Sequence, residues 1–345
     1  MSLHSEILEQ PQVLDLLLNS KMKEVENISR LLKKKTIEFI CLAARGTSDN
    51  AGLYAKYLWG AFNGMPIALA APSLFTVYRK PPQMRNSLVV VISQSGQSPD
   101  ILAVAEEGRR QGTPVLAITN DVCSPLAQAS DYVIDICAGK EKAVAATKTY
   151  TTQLLAIAML SVAMNPTDSR ISNLNRIPEL VKEVLSLEEI VRKAADEYGT
   201  MKQCVVLGRG FNYATAYEWS LKLKELAYVM AEPYSSSDFQ HGPVAVVSRD
   251  FPVLTVVPNG AVFEDMLSLL SFLVNERQIK LLVLSNRQEA LSLASAAVRL
   301  PDDLPEWISP IVAIIPAQLF CYYLTLKKGL DTETPRGLKK ITLTK

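Results

Sequence analysis

An internal repeat constrains the fold of this 345-residue chain more than any other feature. Short segments in the first half recur in the same order in the second half, at a nearly constant offset of 164 to 166 residues. The matches are Arg45 with Arg209, Leu88–Ile92 with Val253–Val257, Asp100 with Asp265, and Leu116–Asn120 with Leu282–Asn286. A repeat of this length and order predicts two similar domains in tandem.

Apolar runs alternate with helical patterns within the first copy, which indicates an α/β fold. The predicted strands are Ile37–Ala44, Pro66–Ala71, Ser87–Ser93, Pro114–Thr119 and Tyr132–Ile136, with helices over Asn50–Phe62 and Ile101–Gln111. Because these apolar runs show little alternation, both faces of each strand are expected to be covered, as in a parallel sheet. The sequence therefore predicts two domains, each a parallel sheet flanked by helices.

The chain is predicted to divide into four parts. They are a helical arm over residues 1–35, a first domain over 36–168, a second domain over 169–330 and a polar tail over 331–345. The joint lies at the polar segment Asn165–Ser169, and one long amphipathic helix is predicted after it, over Asn175–Ala195.

The charge balance and the cysteine and histidine counts exclude several classes of function. With 36 basic and 35 acidic residues, the chain has no electrostatic footprint for nucleic acid or an anionic membrane. Five scattered cysteines predict free thiols in a reducing cytoplasm, and two histidines make a metal site unexpected. Neither a signal peptide nor a transmembrane helix is expected, and no cofactor is predicted.

The segment Ser93–Asp100 has the composition of an anion-binding turn between a strand and a helix. Ser98 suits the N-cap and Pro99 the first helical position, and the serines and glutamines add hydrogen-bond donors. The matching turn of the second copy, Pro258–Phe263, lacks these hydroxyl groups, and Thr47 and Ser48 likewise have no hydroxyl counterparts. We expect a specialised ligand site in the first copy, although a merely capped turn has the same pattern. The nucleotide-binding motifs GxGxxG and GxxxxGK[ST] are not found in the sequence.

Acid–base candidates occur in the second copy and in the tail. Lys222 and Glu225 are three residues apart and share one helix face. His241 precedes Gly-Pro in a predicted turn, and histidine is suited to proton transfer near neutral pH. Lys339 and Lys340 lie in the tail. The alternatives are a solvated ion pair, a histidine that structures a loop, and solvated terminal charges.

Together these segments resemble the tandem sugar-isomerase (SIS) domain family, and especially the isomerase half of glutamine–fructose-6-phosphate transaminase. The resemblance extends from about residue 30 to the end of the chain. The matching motifs are Gly46–Ser48, Ser93–Gly96, Ala145–Lys148 with Thr151–Gln153, Leu221–Glu225, His241–Pro243 and Pro335–Lys340. The resemblance implies two SIS domains of the three-layer αβα, flavodoxin- or Rossmann-like type.

The resemblance also implies a role for each matching residue. Glu225 would move a proton between C1 and C2 of the sugar, His241 would assist ring opening, and Lys340 would form a Schiff base with the open-chain ketose. Lys222 would lie near the substrate. The implied substrate-binding residues are Thr47, Ser48, Ser93, Gln94, Ser95 and Ser98 for the sugar phosphate, with backbone contacts from Val144 and Ala145. Because the family histidine enters the site of a neighbouring subunit, a homodimer is implied.

The departures from the family pattern favour a catabolic reaction. The chain begins at the sugar-processing half, without the glutaminase domain of the family enzyme, and Gln97, Ser98, Ala146 and Ser235–Gln240 differ from the family residues. We therefore expect a glutamine-independent isomerase and deaminase that converts glucosamine 6-phosphate into fructose 6-phosphate and ammonia. Two alternatives are a deglycase acting on fructosamine 6-phosphates and a non-catalytic sugar-phosphate sensor.

Overall fold

The computed structural model describes residues 2–340. Its α-helices are α1 Leu3–Leu8, α2 Gln10–Leu32, α3 Thr47–Asn63, α4 Ser73–Thr76, α5 Pro99–Arg110, α6 Pro125–Gln128, α7 Lys148–Met164, α8 Asp168–Leu185, α9 Glu188–Glu197, α10 Tyr213–Ala227, α11 Ser236–Gln240, α12 Phe263–Arg277, α13 Gln288–Leu291 and α14 Ser309–Lys327. Its strands are β1 Phe39–Ala43, β2 Ile67–Leu69, β3 Ser87–Ile92, β4 Val115–Thr119, β5 Tyr132–Asp135, β6 Gln203–Gly208, β7 Met230–Ser235, β8 Pro252–Val256, β9 Lys280–Ser285 and β10 Ala296–Arg299.

The strands form two parallel five-stranded sheets with the same topology. The first has the order β2-β1-β3-β4-β5, and the second, read in the same direction, has the order β7-β6-β8-β9-β10. Numbered within each copy, both are 2-1-3-4-5, the order of flavodoxin-like folds. The predicted fold class, two tandem α/β domains with parallel sheets between helices, is confirmed.

The repeated arginine and aspartate occupy equivalent places in the two copies. Arg45 follows β1 and pairs with Asp100 at the start of α5, with 2.8 Å between Nε and Oδ2. Arg209 follows β6 and pairs with Asp265 at the start of α12, with 3.3 Å between Nη1 and Oδ2. The repeat seen in the sequence therefore reflects a repeated ion pair as well as repeated strands.

Close helix–sheet packing explains the buried pattern of β3, in which all six residues are buried. In the first sheet Val89 is the partner of both Cys41 and Val115, so it lies at the centre of the apolar core. Helix α5 approaches this core through Gly108, where an added Cβ would lie 2.9 Å from Val89 and 3.1 Å from Val115. The absence of a side chain at this helix position therefore sets the distance between α5 and the sheet.

Two predicted elements differ in the structure. The second predicted strand is reduced to the short β2, which is largely exposed because it lies at the sheet edge and pairs only with β1. The single helix predicted over Asn175–Ala195 is wrong, because α8 ends at Leu185 and α9 begins at Glu188. The Ser186 hydroxyl donates to the Glu183 carbonyl, which favours a helix end.

The described chain divides into two compact units, each built around one sheet. The first unit contains the β1–β5 sheet and comprises residues 12–141, 148–175 and 339–340, whereas the second contains the β6–β10 sheet and comprises residues 2–11, 142–147 and 176–338. Residues 142–147 thus group with the second sheet, and Lys340 groups with the first. The predicted boundaries at 36–168 and 169–330 stay a prediction, and residues 1 and 341–345 of the predicted arm and tail lie outside the described residues.

One segment of the described chain, residues 306–327, is long and apolar enough to cross a membrane by length and composition. Its most apolar window is 89% buried, and α14 packs against α9 and α10 in the second unit. These properties are typical of the core helix of a globular domain. The five cysteines are free thiols, as the scattered spacing predicts.

A pair of glycine substitutions tests the close packing of α5. We expect Gly108→Ala to lower the free energy of unfolding by about 1–3 kcal/mol, because the new Cβ overpacks the core against Val89 and Val115. The matched control is Gly60→Ala in α3, where an added Cβ meets nothing within 4 Å. That change should raise the free energy of unfolding by about 0.4–1 kcal/mol through helix propensity. Urea unfolding of both variants measures the difference, and equal effects at the two sites would contradict the packing argument.

Candidate active site

The predicted anion-binding turn lies at the carboxyl end of β3, where α5 begins. Ser98 is the N-cap of α5 in extended conformation, Pro99 occupies the first turn, and the Ser98 hydroxyl makes no capping hydrogen bond. The Gly96 amide donates to Ser93 Oγ over 3.2 Å, and the Gln97 amide donates to Ser95 Oγ over 3.4 Å. The turn thus combines serine hydroxyl groups with a helix N-terminus, a combination that suits a phosphate.

Gly96 is required by the shape of this turn. Its φ is +61°, a left-handed conformation that favours glycine, and an added Cβ would lie 2.1 Å from Ser124 Oγ. Ser124 is itself held in place, because it is the N-cap of α6 and donates to the Asp121 carbonyl over 2.6 Å. The turn is therefore packed tightly against the next strand-to-helix connection of the same sheet.

The second predicted ligand turn, at the start of α3, is also preorganised. Gly46 precedes α3 with φ +54°, Thr47 is the first helical residue, and Ser48 is buried. The Gln153 side chain in α7 donates from Nε2 to Ser48 Oγ over 3.0 Å. The buried Gln153 Oε1 has no hydrogen-bond partner among residues 2–340. The first unit therefore brings the predicted phosphate residues to the carboxyl edge of its sheet.

The tail lysine of the first unit meets a buried carboxylate that sequence reasoning missed. Lys340 Nζ lies 2.5 Å from Glu141 Oε2, and the Glu141 side chain is fully buried. Glu141 also accepts hydrogen bonds from the Thr149 amide over 3.1 Å and from Thr149 Oγ1 over 2.7 Å, so it caps the start of α7. Lys340 is thus anchored to the core of the unit rather than solvated, whereas Lys339 forms no ion pair in the described chain.

In the second unit, α10 places three charged side chains along one face. Lys222 Nζ lies 3.4 Å from Glu218 Oε1 and donates a hydrogen bond to Glu225 Oε2. Lys222 and Glu218 are buried, whereas the Glu225 side chain is 23% exposed. A buried lysine shared by two carboxylates is costly to maintain, which points to a functional site rather than a solvated surface pair. Glu218 was missed, although its spacing of four residues from Lys222 is visible in the sequence.

The loop that contains Val144 and Ala145 is held by a carboxylate from α1, within the second unit. Glu6 is fully buried and accepts hydrogen bonds from the Lys142 amide over 2.5 Å and the Ala143 amide over 3.1 Å. These two amides directly precede the residues for which the resemblance implies backbone contacts to the sugar. Sequence reasoning missed Glu6, because its partners are backbone groups more than 130 residues away.

His241 is exposed, in contrast to the buried network of α10. It follows the last residue of α11, and its imidazole has no hydrogen-bond partner in the described part of the chain. Gly242 follows with φ +130°, so the chain turns sharply at this point. The large apolar side chains of Met230 and Val246, in the same unit, are also exposed. Within the described chain, the His241 imidazole is therefore free to act on a ligand and does not hold the loop through a hydrogen bond.

Comparison with known proteins identifies the family of the chain. A model of the SIS domain matches residues 31–163 and 200–328. The chain belongs to the SIS-domain family. Its two matched segments contain the two five-stranded sheets, together with Ser48, Ser93–Ser98, Glu225 and His241.

The relatives of this SIS-domain protein include two glutamine–fructose-6-phosphate aminotransferases (isomerizing). That of Caldanaerobacter subterraneus subsp. tengcongensis is 35% identical over 320 residues, which are 88% of this chain and 51% of the relative. That of Aquifex aeolicus is 34% identical over 336 residues, 97% of this chain and 56% of the relative. The chain therefore spans about half the length of the curated relatives it matches.

A solved structure identifies which half is matched. The C-terminal domain of glucosamine-fructose-6-phosphate aminotransferase from Francisella tularensis superposes with a TM-score of 0.88 at 31% identity, covering 96% of this chain and 98% of that one. This SIS-domain protein is thus homologous to the isomerase half of those aminotransferases, as the sequence motifs imply.

Proposed function

We propose that the chain is an amino-sugar phosphate isomerase and deaminase that converts glucosamine 6-phosphate and water into fructose 6-phosphate and ammonia. The observation that carries this proposal is the network on α10, where the partly exposed Glu225 is hydrogen-bonded to the buried Lys222 within an SIS domain. A carboxylate held by a buried cation, yet open to solvent on one side, suits a base that must reach a carbon-bound proton.

The phosphate would be bound by neutral donors. Ser93, Gln94, Ser95 and Ser98 surround the start of α5, and Ser48 lies at the start of α3 with Thr47 beside it. Helix N-termini carry partial positive charge, so hydroxyl and backbone N–H groups there hold an anion without a lysine in the loop. The loop at Val144 and Ala145 would add backbone contacts to the sugar, since Glu6 fixes its preceding amides.

The reaction proceeds through an enolamine. Glu225 removes the proton from C2 of the open-chain aldose, and the electrons form a C1–C2 double bond while the aldehyde oxygen gains a proton. Return of the proton to C1 gives the C2 iminium, and loss of a proton from its nitrogen, which offsets the proton gained by the aldehyde oxygen, gives the imine. Lys340, released from its ion pair with Glu141, would then add at C2 as ammonia leaves and form a Schiff base. Water adds to this Schiff base and releases fructose 6-phosphate with the free lysine, so atoms and electrons balance without an external oxidant or reductant.

His241 would open the sugar ring, acting from a neighbouring subunit. The exposed imidazole without a partner, close in sequence to the exposed Met230 and Val246, supports a homodimer in which this surface is covered.

We also propose a cytoplasmic location, which fits free thiols and a phosphorylated substrate. The proposed reaction needs no glutamine, and no nucleic acid, membrane or metal takes part in it.

A second candidate keeps the same fold and chemistry but changes the amine. Two parts of the sequence depart from the family residues: Ala146, which follows the proposed sugar-binding loop, and the segment Ser235–Gln240, which precedes His241. Both would lie near the amino end of the substrate. Residues changed at this end of the substrate would accommodate a larger amine substituent at C2 or C1 of the sugar. The second candidate is therefore a deglycase that releases a free amino acid from a fructosamine 6-phosphate.

Product identification on a substrate panel separates these candidates. We expect the full chain to release ammonia and fructose 6-phosphate from glucosamine 6-phosphate, measured by coupled assays. Release of an amino acid from fructose–amino acid 6-phosphates, with no turnover of glucosamine 6-phosphate, would replace the proposal by the deglycase. Binding of fructose 6-phosphate without turnover of any amine-bearing sugar phosphate would indicate a sensor.

The role of Glu225 predicts a loss of turnover with binding retained. We expect Glu225→Gln to lower kcat by about 10²-fold or more, the usual contribution of a positioned general base, while the Kd for fructose 6-phosphate changes little. The matched control is Glu232→Gln, since Glu232, in β7, forms an exposed ion pair with Lys224, the residue before Glu225 in α10. That control should keep wild-type kcat. Full activity of Glu225→Gln would remove Glu225 from the mechanism.

If Glu225 of one subunit and His241 of its neighbour form one site, variants of these two residues should complement each other in a mixed dimer. We expect Glu225→Gln and His241→Asn to be weakly active alone, and a refolded mixture of the two to recover activity. The recovery follows because a mixed dimer contains one site with both native residues, and it should approach about a quarter of the wild-type rate for random pairing. Analytical ultracentrifugation establishes the dimer in parallel. A mixture no more active than its components would place His241 in its own subunit's site.

A further inference from the structure

Arg45 links the two turns of the first unit that contain the predicted phosphate ligands. It directly precedes Gly46, Thr47 and Ser48, and its Nε lies 2.8 Å from Oδ2 of Asp100. Asp100 is the second residue of α5, directly after Ser98 and Pro99. The ion pair therefore connects the turn after β1 with the turn after β3.

The buried member of this pair is a carboxylate at an anion site. The Asp100 side chain is 1% exposed, and its Oδ1 accepts a hydrogen bond from the Ile101 amide over 2.9 Å. Asp100 thus occupies the positive end of the α5 dipole, where the phosphate of the substrate would also bind. A buried negative charge beside a dianionic ligand repels it unless a cation compensates the charge.

Arg45 is positioned to supply this compensation. Its side chain is 51% exposed, so the guanidinium reaches the surface of the turn while Nε is held by Asp100. Its positive charge also acts on Asp49, since desolvation raises the pKa of Asp49 and Arg45 opposes that rise. The single guanidinium of Arg45 therefore pairs with Asp100 at the start of α5 and acts electrostatically on Asp49 at the start of α3.

The second copy provides an internal comparison. Arg209 and Asp265 form the equivalent pair, but they are 3.3 Å apart and the Asp265 side chain is 66% exposed. The adjacent turns of that copy also lack the serine and threonine hydroxyls. Only the first copy, which has the hydroxyl-rich turns, therefore also has the shorter ion pair and the buried carboxylate.

We propose that Arg45 is a positioning residue for phosphosugar binding, which cancels the charge of Asp100 beside the phosphate and joins the two ligand turns. This inference rests on the proposed phosphosugar site of the first unit. It assigns the positive charge of that site to a residue outside the serine-rich turn, which itself contains no lysine or arginine.

Titration calorimetry of the full-length chain with fructose 6-phosphate, and separately with inorganic phosphate, tests the inference. We expect Arg45→Gln to weaken binding by about tenfold or more, because the Asp100 carboxylate stays buried without its partner. Adding Asp100→Asn to Arg45→Gln should recover most of that loss by removing the uncompensated charge. Asp100→Asn alone should bind at least as tightly as the wild type, and this variant remains informative if Arg45→Gln does not fold.

The control is Arg209→Gln, which removes the equivalent arginine of the second copy and should leave the Kd unchanged. In turnover assays Arg45→Gln should raise KM with little change in kcat, a split that general destabilisation does not produce. Unchanged binding by Arg45→Gln, or a double variant no tighter than Arg45→Gln, would overturn the role of Arg45. Absence of fructose 6-phosphate binding by the wild type would instead overturn the phosphosugar site itself.

Discussion

Parallel strand pairing is the constraint on which the candidate site depends. When all five strands of a sheet run in one direction, each connecting helix begins at the carboxyl edge, and so does each strand-to-helix turn. The turns after β1 and β3 therefore share an edge although Ser48 and Ser93 are 45 residues apart in the chain. Helix N-termini at that edge offer N–H groups to an anion, so the topology itself suits the proposed phosphate site.

Within each unit, buried carboxylates hold groups that belong to the candidate site. Glu141 holds Lys340 and the start of α7, Glu6 holds the amides before Val144, and Asp100 holds Arg45. In each case the carboxylate is buried and its partner is a group with a proposed function. Burying such charges is costly, and hydrogen bonds to several donors reduce that cost. In this way acidic residues fix cations and backbone amides that would bind the proposed anionic substrate, and the net charge of +1 is compatible with that use.

Repetition and local pattern made much of the fold predictable. The nearly constant offset that relates Arg45 to Arg209 and Asp100 to Asp265 predicted two similar domains. Apolar runs such as Ser87–Ser93 predicted the central strands. The start of α5, with Ser98 at the N-cap position and Pro99 in the first turn, followed from local propensity, although the Ser98 hydroxyl makes no capping hydrogen bond. The break between α8 and α9, where the Ser186 hydroxyl donates to the Glu183 carbonyl, was not predicted, because the amphipathic pattern runs on across it.

The sequence by itself determined the tandem α/β architecture, the hydroxyl-rich turns and the Lys222–Glu225 pair, because these features depend on local order and spacing. Only the tertiary structure decided which charges are buried and what they contact. Glu6, Glu141 and Asp100 meet partners that are distant in the chain, and nothing local to a glutamate or aspartate distinguishes a buried carboxylate from a solvated one. Burial and long-range pairing arise from packing, and packing is a property of the folded chain rather than of any segment.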